Sequence, residues 1–487
     1  MNDAQNGGNY SRELGVAGYR KRRRRTVVTR IIVATVLIAI IGGASYAFGK
    51  QFIDPDKVPF DLPGVERNAQ EGASEDAEPA APTTVQPASI SLIAAGDVVM
   101  DGSVTESGRQ ESGAYDFGHL FGPLADEIGR FDLRMVSQEA ALAGSKFGFG
   151  AEYPLNAPQD LGRAEREAGF NVVLRASDHS MDTGAEGIYS ELVWWHDTFS
   201  DMPVLGIADA EPENNPTLSN YVSNVYVYEK DGFKVAVLNH AVNVPDEGQG
   251  MVSRLSEEKI ASDVAKAREM GAEMIVACPH WGEEYNPNVV EEQTRYAWAY
   301  ANQGVDVIIG THPRVLQRTE VLQREDGHKT VCFYSLGCLT SSLTDNSLLG
   351  GLAEVQLDRN DQGVCEVTSA VLKPVITHRG NGTDYRTYLF ADYSNDLVWN
   401  SWDGWPDVDE WNRRCQDILG EGYDPGAREF RVNLEGATLP PAAEEPEQEE
   451  PEQEEPESTE EEQQNEDEGN DEGTYEDYGE YYGGWDY

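Results

Sequence analysis

Between residues 90 and 313, apolar runs of strand length alternate with segments of helical periodicity. That alternation restricts the chain to an α/β architecture with a largely parallel sheet, because parallel neighbours need crossover helices. The runs ISLIAAGD, DLRMVSQE, NVVLRASDH and PVLGI are separated by helix-like stretches at 119–129, 157–169 and 184–199. A second round follows, with KVAVLNH, EMIVACPH and VDVIIGTHP separated by helix-like 255–270 and 289–303. After His312 only strand-like runs remain, VLQRTEVL, TVCFYSLG, GLAEVQL and CEVTSAVL, which predicts an antiparallel portion completing a mixed sheet.

Six polar residues sit just past these apolar runs: Asp97, Glu139, Asp178, His179, His280 and His312. Strand ends on one edge of an α/β sheet open onto a common crevice, so acids and imidazoles placed there converge. Each has a plainer explanation when taken alone. Asp97 caps a turn, Glu139 is a solvated loop acid, and Asp178 with His179 form a pair before the helix at 184. His280 packs on Trp281, and His312 bonds a loop carbonyl. Their joint occurrence at strand ends favours one shared site of the side-chain types that hold a divalent metal.

At 487 residues and 39 % hydrophobic content the chain can bury a sizeable core, yet its formal charge is −50. Much of that excess is local, since 444–487 contains no Lys or Arg and opens on EEPEQEEPEQEEPE. A segment of this composition buries too little apolar surface to offset its ordering entropy, so 441–487 is expected to be a disordered acidic tail. Acidity on this scale argues against nucleic-acid binding. The opposite imbalance lies at 21–25, KRRRR, within a basic segment 1–30.

Residues 31–48, IIVATVLIAIIGGASYAF, are uncharged and long enough for a single transmembrane helix. A cleaved signal peptide is the competing reading, but its apolar core rarely exceeds ~15 residues. The flanking cations place the N-terminal side in the cytoplasm. The expected organisation is then a linker at 49–89, a main extracellular domain at 90–383, a Trp-rich extension at 384–440 and the tail, in a single-pass protein of the cell membrane. Cys278, Cys332, Cys338, Cys365 and Cys415 are odd in number and lack short paired spacings, so no disulfide framework is expected.

The segments AAGDVVMDG, VSQEAAL, VVLRASDHSMDTGAEGI, HWGEEYNPNVVEEQ, GVDVIIGTHPRVLQ and FYSLG, in this order, resemble the CapA-type poly-γ-glutamate synthesis family, a branch of the metallophosphatase superfamily. The resemblance covers roughly residues 91–342, about half of the chain. It implies a calcineurin-like α/β/β/α sandwich, an extracytoplasmic domain, and a role in making, exporting or attaching an anionic capsule polymer. Membrane synthase subunits are the implied partners. The family's GD acid falls on Asp97, the acid of its NLE run on Glu139, and its NNH pair on Asp178 and His179. The HWG histidine falls on His280 and the HPH histidines on His312 and Arg314. This chain therefore departs twice: Asp178 replaces an amide with a carboxylate that still ligates a hard cation, whereas Arg314 has no lone pair to offer.

Metal-assisted hydrolysis would use these groups, with Mn, Fe or Zn as the ion and His179 as general acid. Asp97, Glu139, Asp178, His280 and His312 make five ligands, enough for one ion and too few for two. The second reading is a catalytically silent module in which Arg175, standing where the family has an apolar residue, and Arg314 grip the anionic polymer without a metal.

Overall fold

The computed structural model describes residues 85–150, 154–211, 224–248, 250–380, 384–401 and 406–440. The expected basic segment, transmembrane helix and acidic tail, and all but the end of the linker, lie outside the described residues. Among the described residues no helix is long and apolar enough to cross a membrane.

Strands β1 (Ala88–Val98), β2 (Leu133–Gln138), β3 (Val172–Leu174) and β4 (Val204–Leu205) run parallel in that order. A second sheet holds β5 (Val225–Lys230), β6 (Phe233–Ala241), β7 (Met274–His280), β8 (Val307–Ile309), β9 (Thr319–Gln323) and β10 (Lys329–Phe333). Its order is β5-β6-β7-β8-β10-β9, parallel from β6 to β10 and antiparallel at both edges. The chain then returns to the first sheet. Strand β11 (Cys338–Thr340) pairs with the end of β1, while β12 (Leu349–Arg359) and β13 (Cys365–Arg379) add antiparallel to its other side. Both sheets are thus mixed.

Alternation along β1 shows how the layers stack. Ile90, Leu92 and Ala94 meet Phe233, Val235, Val237 and Met274 of the second sheet in one core between the sheets. Ile93 and Ala95 point the other way, toward α1 (Asp160–Glu167) and α2 (Gly184–Thr198). On the far side of the second sheet, Ala236, Leu238 and Ile275 pack against α3 (Glu257–Glu269) and α4 (Glu291–Asn302). Strands covered on both faces have no polar face to show, which is why they read as nearly continuous apolar runs. The result is an α/β/β/α sandwich.

One expectation changes. The stretch 119–129 is not one helix but short turns, Gly118–Phe121, Gly122–Leu124 and Ala125–Ile128, because Pro123 lacks the N–H a continuous helix needs there. The Trp-rich extension packs onto the first sheet and the inter-sheet core. Strand β14 (Tyr385–Leu389) and the small pair β15 (Tyr423–Asp424) and β16 (Glu429–Arg431) join the first sheet through β13, and α5 (Val408–Leu419) buries Trp411 against the inter-sheet core. Trp399 stays exposed, and Trp402 and Trp405 lie outside the described residues. The cysteines are unpaired, and all but Cys365 are buried.

Two glycines let strands close onto the site. A Cβ at Gly96 would stand 2.1 Å from the Gly337 carbonyl oxygen, and one at Gly310 would stand 2.1 Å from that of Tyr334. Gly96→Ala should therefore destabilise the fold by about 3 kcal/mol. An unchanged urea midpoint would contradict this close approach.

Asp306 accepts a hydrogen bond from the Ile275 N–H at 2.7 Å and so ties the start of β8 to β7. Burial pushes its carboxyl up to about 6, against the lowering effect of that bond and of the His328 and Arg268 charges. A folded-state pKa above the unfolded one means that the folded chain holds the proton more tightly, so stability falls as pH rises through this window. Asp306→Asn keeps the acceptor, and should raise stability at about pH 8 by on the order of 2 kcal/mol while changing little at about pH 4. Chemical denaturation at the two pH values checks the sign.

Candidate metal centre

The parallel strands of both sheets end on the same crevice. Asp97 stands near the end of β1, Glu139 follows β2, Asp178 and His179 lie in the short helical turn Asp178–Met181 after β3, His280 closes β7, and His312 follows β8. The register of β1 shifts on both sides of Asp97, a bulge that re-aims its side chain. Tyr285, His312 and Arg314 all adopt positive φ, at 60°, 94° and 58°. For residues with a Cβ this is costly backbone, and such strain gathers where surrounding structure holds a functional side chain in place.

Three donor atoms converge. Asp178 Oδ1 lies 2.8 Å from His280 Nε2 and 3.5 Å from His312 Nδ1, and the two imidazole nitrogens are 3.1 Å apart. A second group, Glu139, Asp178 and His179, shares Asp178 with the first, and in each group the ligand atoms lie within 4.8 Å of one another. Burial works against the charge on Asp178, but hydrogen bonds and charge from His280 and His312 hold its carboxyl well below the ordinary range. His312 is buried too, and Asp178 in turn raises its imidazole above the usual value.

Asp97 belongs to neither converging group. Its Oδ1 accepts a hydrogen bond from Ser137 Oγ at 2.7 Å, its Oδ2 accepts the His312 N–H at 2.8 Å, and His280 Nδ1 is 3.7 Å away. Thr311 Oγ1 lies 3.1 Å from the same His280 nitrogen. Asp97 and Thr311 thus stand behind His280, orienting the ring so that Nε2 faces Asp178.

His179 is anchored through Nδ1, 2.8 Å from Asp182 Oδ2, an oxygen that also takes the Leu155 N–H at 2.7 Å. Its Nε2 faces Arg314 Nη2 at 3.1 Å, Glu139 at 3.6 Å and Asp178 at 3.8 Å. The influences oppose one another. Burial favours the neutral ring, whereas Asp182, Glu139 and Asp178 favour the cation and prevail, raising the imidazole above its ordinary value.

Arg314 is an internal cation. Its Nη2 pairs with Glu139 and, at 3.0 Å, with Glu284, and its Nη1 donates toward the Tyr285 hydroxyl at 3.4 Å. Glu139 is fully buried; burial and the neighbouring acids push its carboxyl up against the pull of Arg314, and its Oε2 has no hydrogen-bond partner. Five carboxylates, Asp97, Glu139, Asp178, Asp182 and Glu284, thus face one guanidinium and three imidazoles. Divalent-cation chemistry fits this donor set, its excess of negative charge and the unpartnered carboxylate oxygen.

Arg175 requires a correction. The side chain expected to meet a polymer is 0 % exposed, and its Nε bonds Glu191 of α2 at 3.0 and 3.3 Å. Its Nη1 reaches only Ser177 and Ser180. A guanidinium sealed in the core cannot grip an external chain. No apolar run ends at Asp182, Glu284 or Thr311 to mark them in the sequence, although Asp182 is one helical turn after His179 and Thr311 immediately precedes His312.

Two facing mixed sheets, with acids and imidazoles gathered at their carboxyl ends, define an α/β/β/α protein carrying a site of metal-binding composition. The chain belongs to the family described as Bacterial capsule synthesis protein PGA_cap, which matches residues 91–341. It is 26 % identical over 261 residues to Capsule biosynthesis protein CapA of Bacillus anthracis, covering 51 % of this chain and 60 % of that one. To PGA biosynthesis protein CapA of Bacillus subtilis (strain 168) it is 26 % identical over 288 residues, covering 56 % and 69 %. The match thus spans 60 % of the length of the first relative. The calcineurin-like phosphoesterase YfkN of Bacillus subtilis superposes with a TM-score of 0.35 at 14 % identity, over 59 % of this chain and 91 % of that one. A likeness that low carries no argument, and the layer order given above rests on strand pairing and packing.

The buried Arg175–Glu191 pair yields a test. Arg175→Met leaves Glu191 uncompensated and should cost about 3–5 kcal/mol, most of it recovered when Glu191→Leu is added. Urea unfolding of the single and double variants measures the difference, and a harmless single variant would refute the assignment.

Proposed function

We propose that this chain acts in the biosynthesis, export or attachment of an anionic capsule polymer, poly-γ-glutamate or a relative, and that its crevice is a one-metal centre able to hydrolyse a phosphoester or an amide. Convergence of Asp178, His280 and His312 carries the second half of this reading. Family membership supports the first half. Residues 31–48 as an uncleaved anchor, with the 21–25 cations inside, would put the domain on the extracellular side of the cell membrane. Membrane synthase subunits are the partner class that fits this role.

Asp178, His280 and His312 would hold Mn, Fe or Zn, and the bound ion would supply Lewis acidity toward a phosphoryl or carbonyl oxygen. The chain's own residues do the rest. His179, with its side chain 20 % exposed and Nδ1 fixed by Asp182, presents Nε2 to the crevice and can deliver a proton to a leaving group. Arg314 takes the place from which a second ion would be held, between Glu139, Glu284 and His179, as a cation that neither titrates nor dissociates. The same contacts weaken the polymer-gripping alternative, since Arg175 is sealed in the core and Arg314 is already shared by two acids.

Chelator-stripped full-length protein titrated with Mn or Zn should take up one ion per chain by calorimetry and elemental analysis. His312→Ala should weaken that uptake by on the order of 100-fold. Arg314→His should admit a second ion. A chain that stays metal-free throughout the titration would sink the reading.

A further inference from the structure

The buried guanidinium of Arg175 bonds two different elements. Its Nε donates to both carboxylate oxygens of Glu191 on α2, at 3.0 and 3.3 Å. Its Nη1 donates to Ser177 Oγ at 3.3 Å and lies 3.5 Å from Ser180 Oγ. Those two serines bracket Asp178 and His179 in the chain.

Ser180 closes the bracket. Its hydroxyl donates to the Arg175 carbonyl oxygen at 2.8 Å and accepts the Ser177 N–H at 2.8 Å, so the turn Asp178–Met181 is folded back onto the residues that lead into it. Asn239 of β6 holds the same segment from the second sheet. Its Oδ1 accepts the Ala176 N–H at 2.8 Å, and its Nδ2 donates at 2.8 Å to the carbonyl oxygen of Cys278, two residues before His280. Glu191 also serves the neighbouring strand end. Gln138 Nε2 lies 3.4 Å from Glu191 Oε1 and donates to the Ala140 carbonyl oxygen at 2.7 Å, spanning Glu139. Arg175, Glu191, Gln138, Ser177 and Ser180 are all buried.

A guanidinium keeps its charge and carries its N–H groups in fixed directions, so it sets both the distance and the angle between the groups it bonds. An ion pair that served stability alone would end at Glu191. This one continues to the serines on either side of a crevice acid. Ligands on a short turn that is free to fray must be ordered when an ion binds, and affinity is lost to that ordering.

We infer that Arg175 is a positioning residue for the metal centre. Anchored by Glu191, it fixes the turn that carries Asp178 and His179, so that Asp178 Oδ1 is held beside His280 and His312 before an ion arrives. The effect on an ion rests on the metal-binding reading of that triad, whereas the bracing of the turn does not.

Arg175→Met combined with Glu191→Leu separates positioning from stability, because it removes the bonds to the serines without leaving Glu191 unpaired. In chelator-stripped full-length protein, with a urea midpoint close to that of wild type, this double variant should bind Mn about tenfold more weakly by calorimetry. Equal affinity would overturn the positioning role. Ser177→Ala, which leaves the ion pair whole, makes the same comparison where the double variant fails to fold, with weaker binding again expected and equal affinity again decisive against the inference. Amide exchange without metal is the second measurement. Residues 178–182 of the double variant should exchange about tenfold faster than in wild type while β1 is unchanged, and identical exchange in the turn would overturn the bracing. If wild-type protein takes up no Mn, the metal reading falls on its own, and the exchange result still decides whether Arg175 holds the turn.

Discussion

One buried carboxylate is shared by both sheets. Asp97 accepts from Ser137 at the end of β2 and from the His312 backbone after β8, so the last turns of the two sheets are clasped at one point. With no water to solvate it, that carboxylate needs both donors, and the loop bearing His312 has to come to it. The positive φ of His312 is held at this clasp. Thr311 and His280 are drawn into the same arrangement, and the imidazoles of His280 and His312, from neighbouring strands of the second sheet, meet Asp178 of the first sheet there. Gly96 and Gly310, lacking Cβ atoms, permit the approach.

Around that clasp the charges do not balance within the protein. Arg314 answers Glu139 and Glu284, and the imidazoles answer Asp178 and Asp182, but acids still outnumber fixed cations. A guanidinium in the second cation position differs from an ion in kind. It is covalently attached, has fixed directions, and keeps its charge at any working pH. If Asp178, His280 and His312 hold an ion as proposed, the cationic half of the crevice at Arg314 is permanent and only the other half is exchangeable.

Much of this was legible in the residues. Strand ends were readable because apolar runs stop sharply at Asp97, Glu139, Asp178, His280 and His312, and the structure brings all five to one crevice. What each acid does there was not readable, since a clasp and a ligand use the same side chain. Asp97 faces N–H and O–H donors, whereas Asp178 faces imidazoles, and only three-dimensional register separates the two. Arg175 misled for a related reason. Its partner Glu191 lies on α2, where helical periodicity cannot say which polar residue turns inward. The extension was opaque because β15 and β16 are two and three residues long, too short to show alternation.

Strand β1 enters the domain far from where it delivers Asp97. From Ala88 to Asp97 it rises roughly 30 Å, so its first residue and the crevice lie at opposite ends of one rigid rod. The chain therefore enters the domain at its base. The crevice thereby lies away from the point where the chain enters the domain.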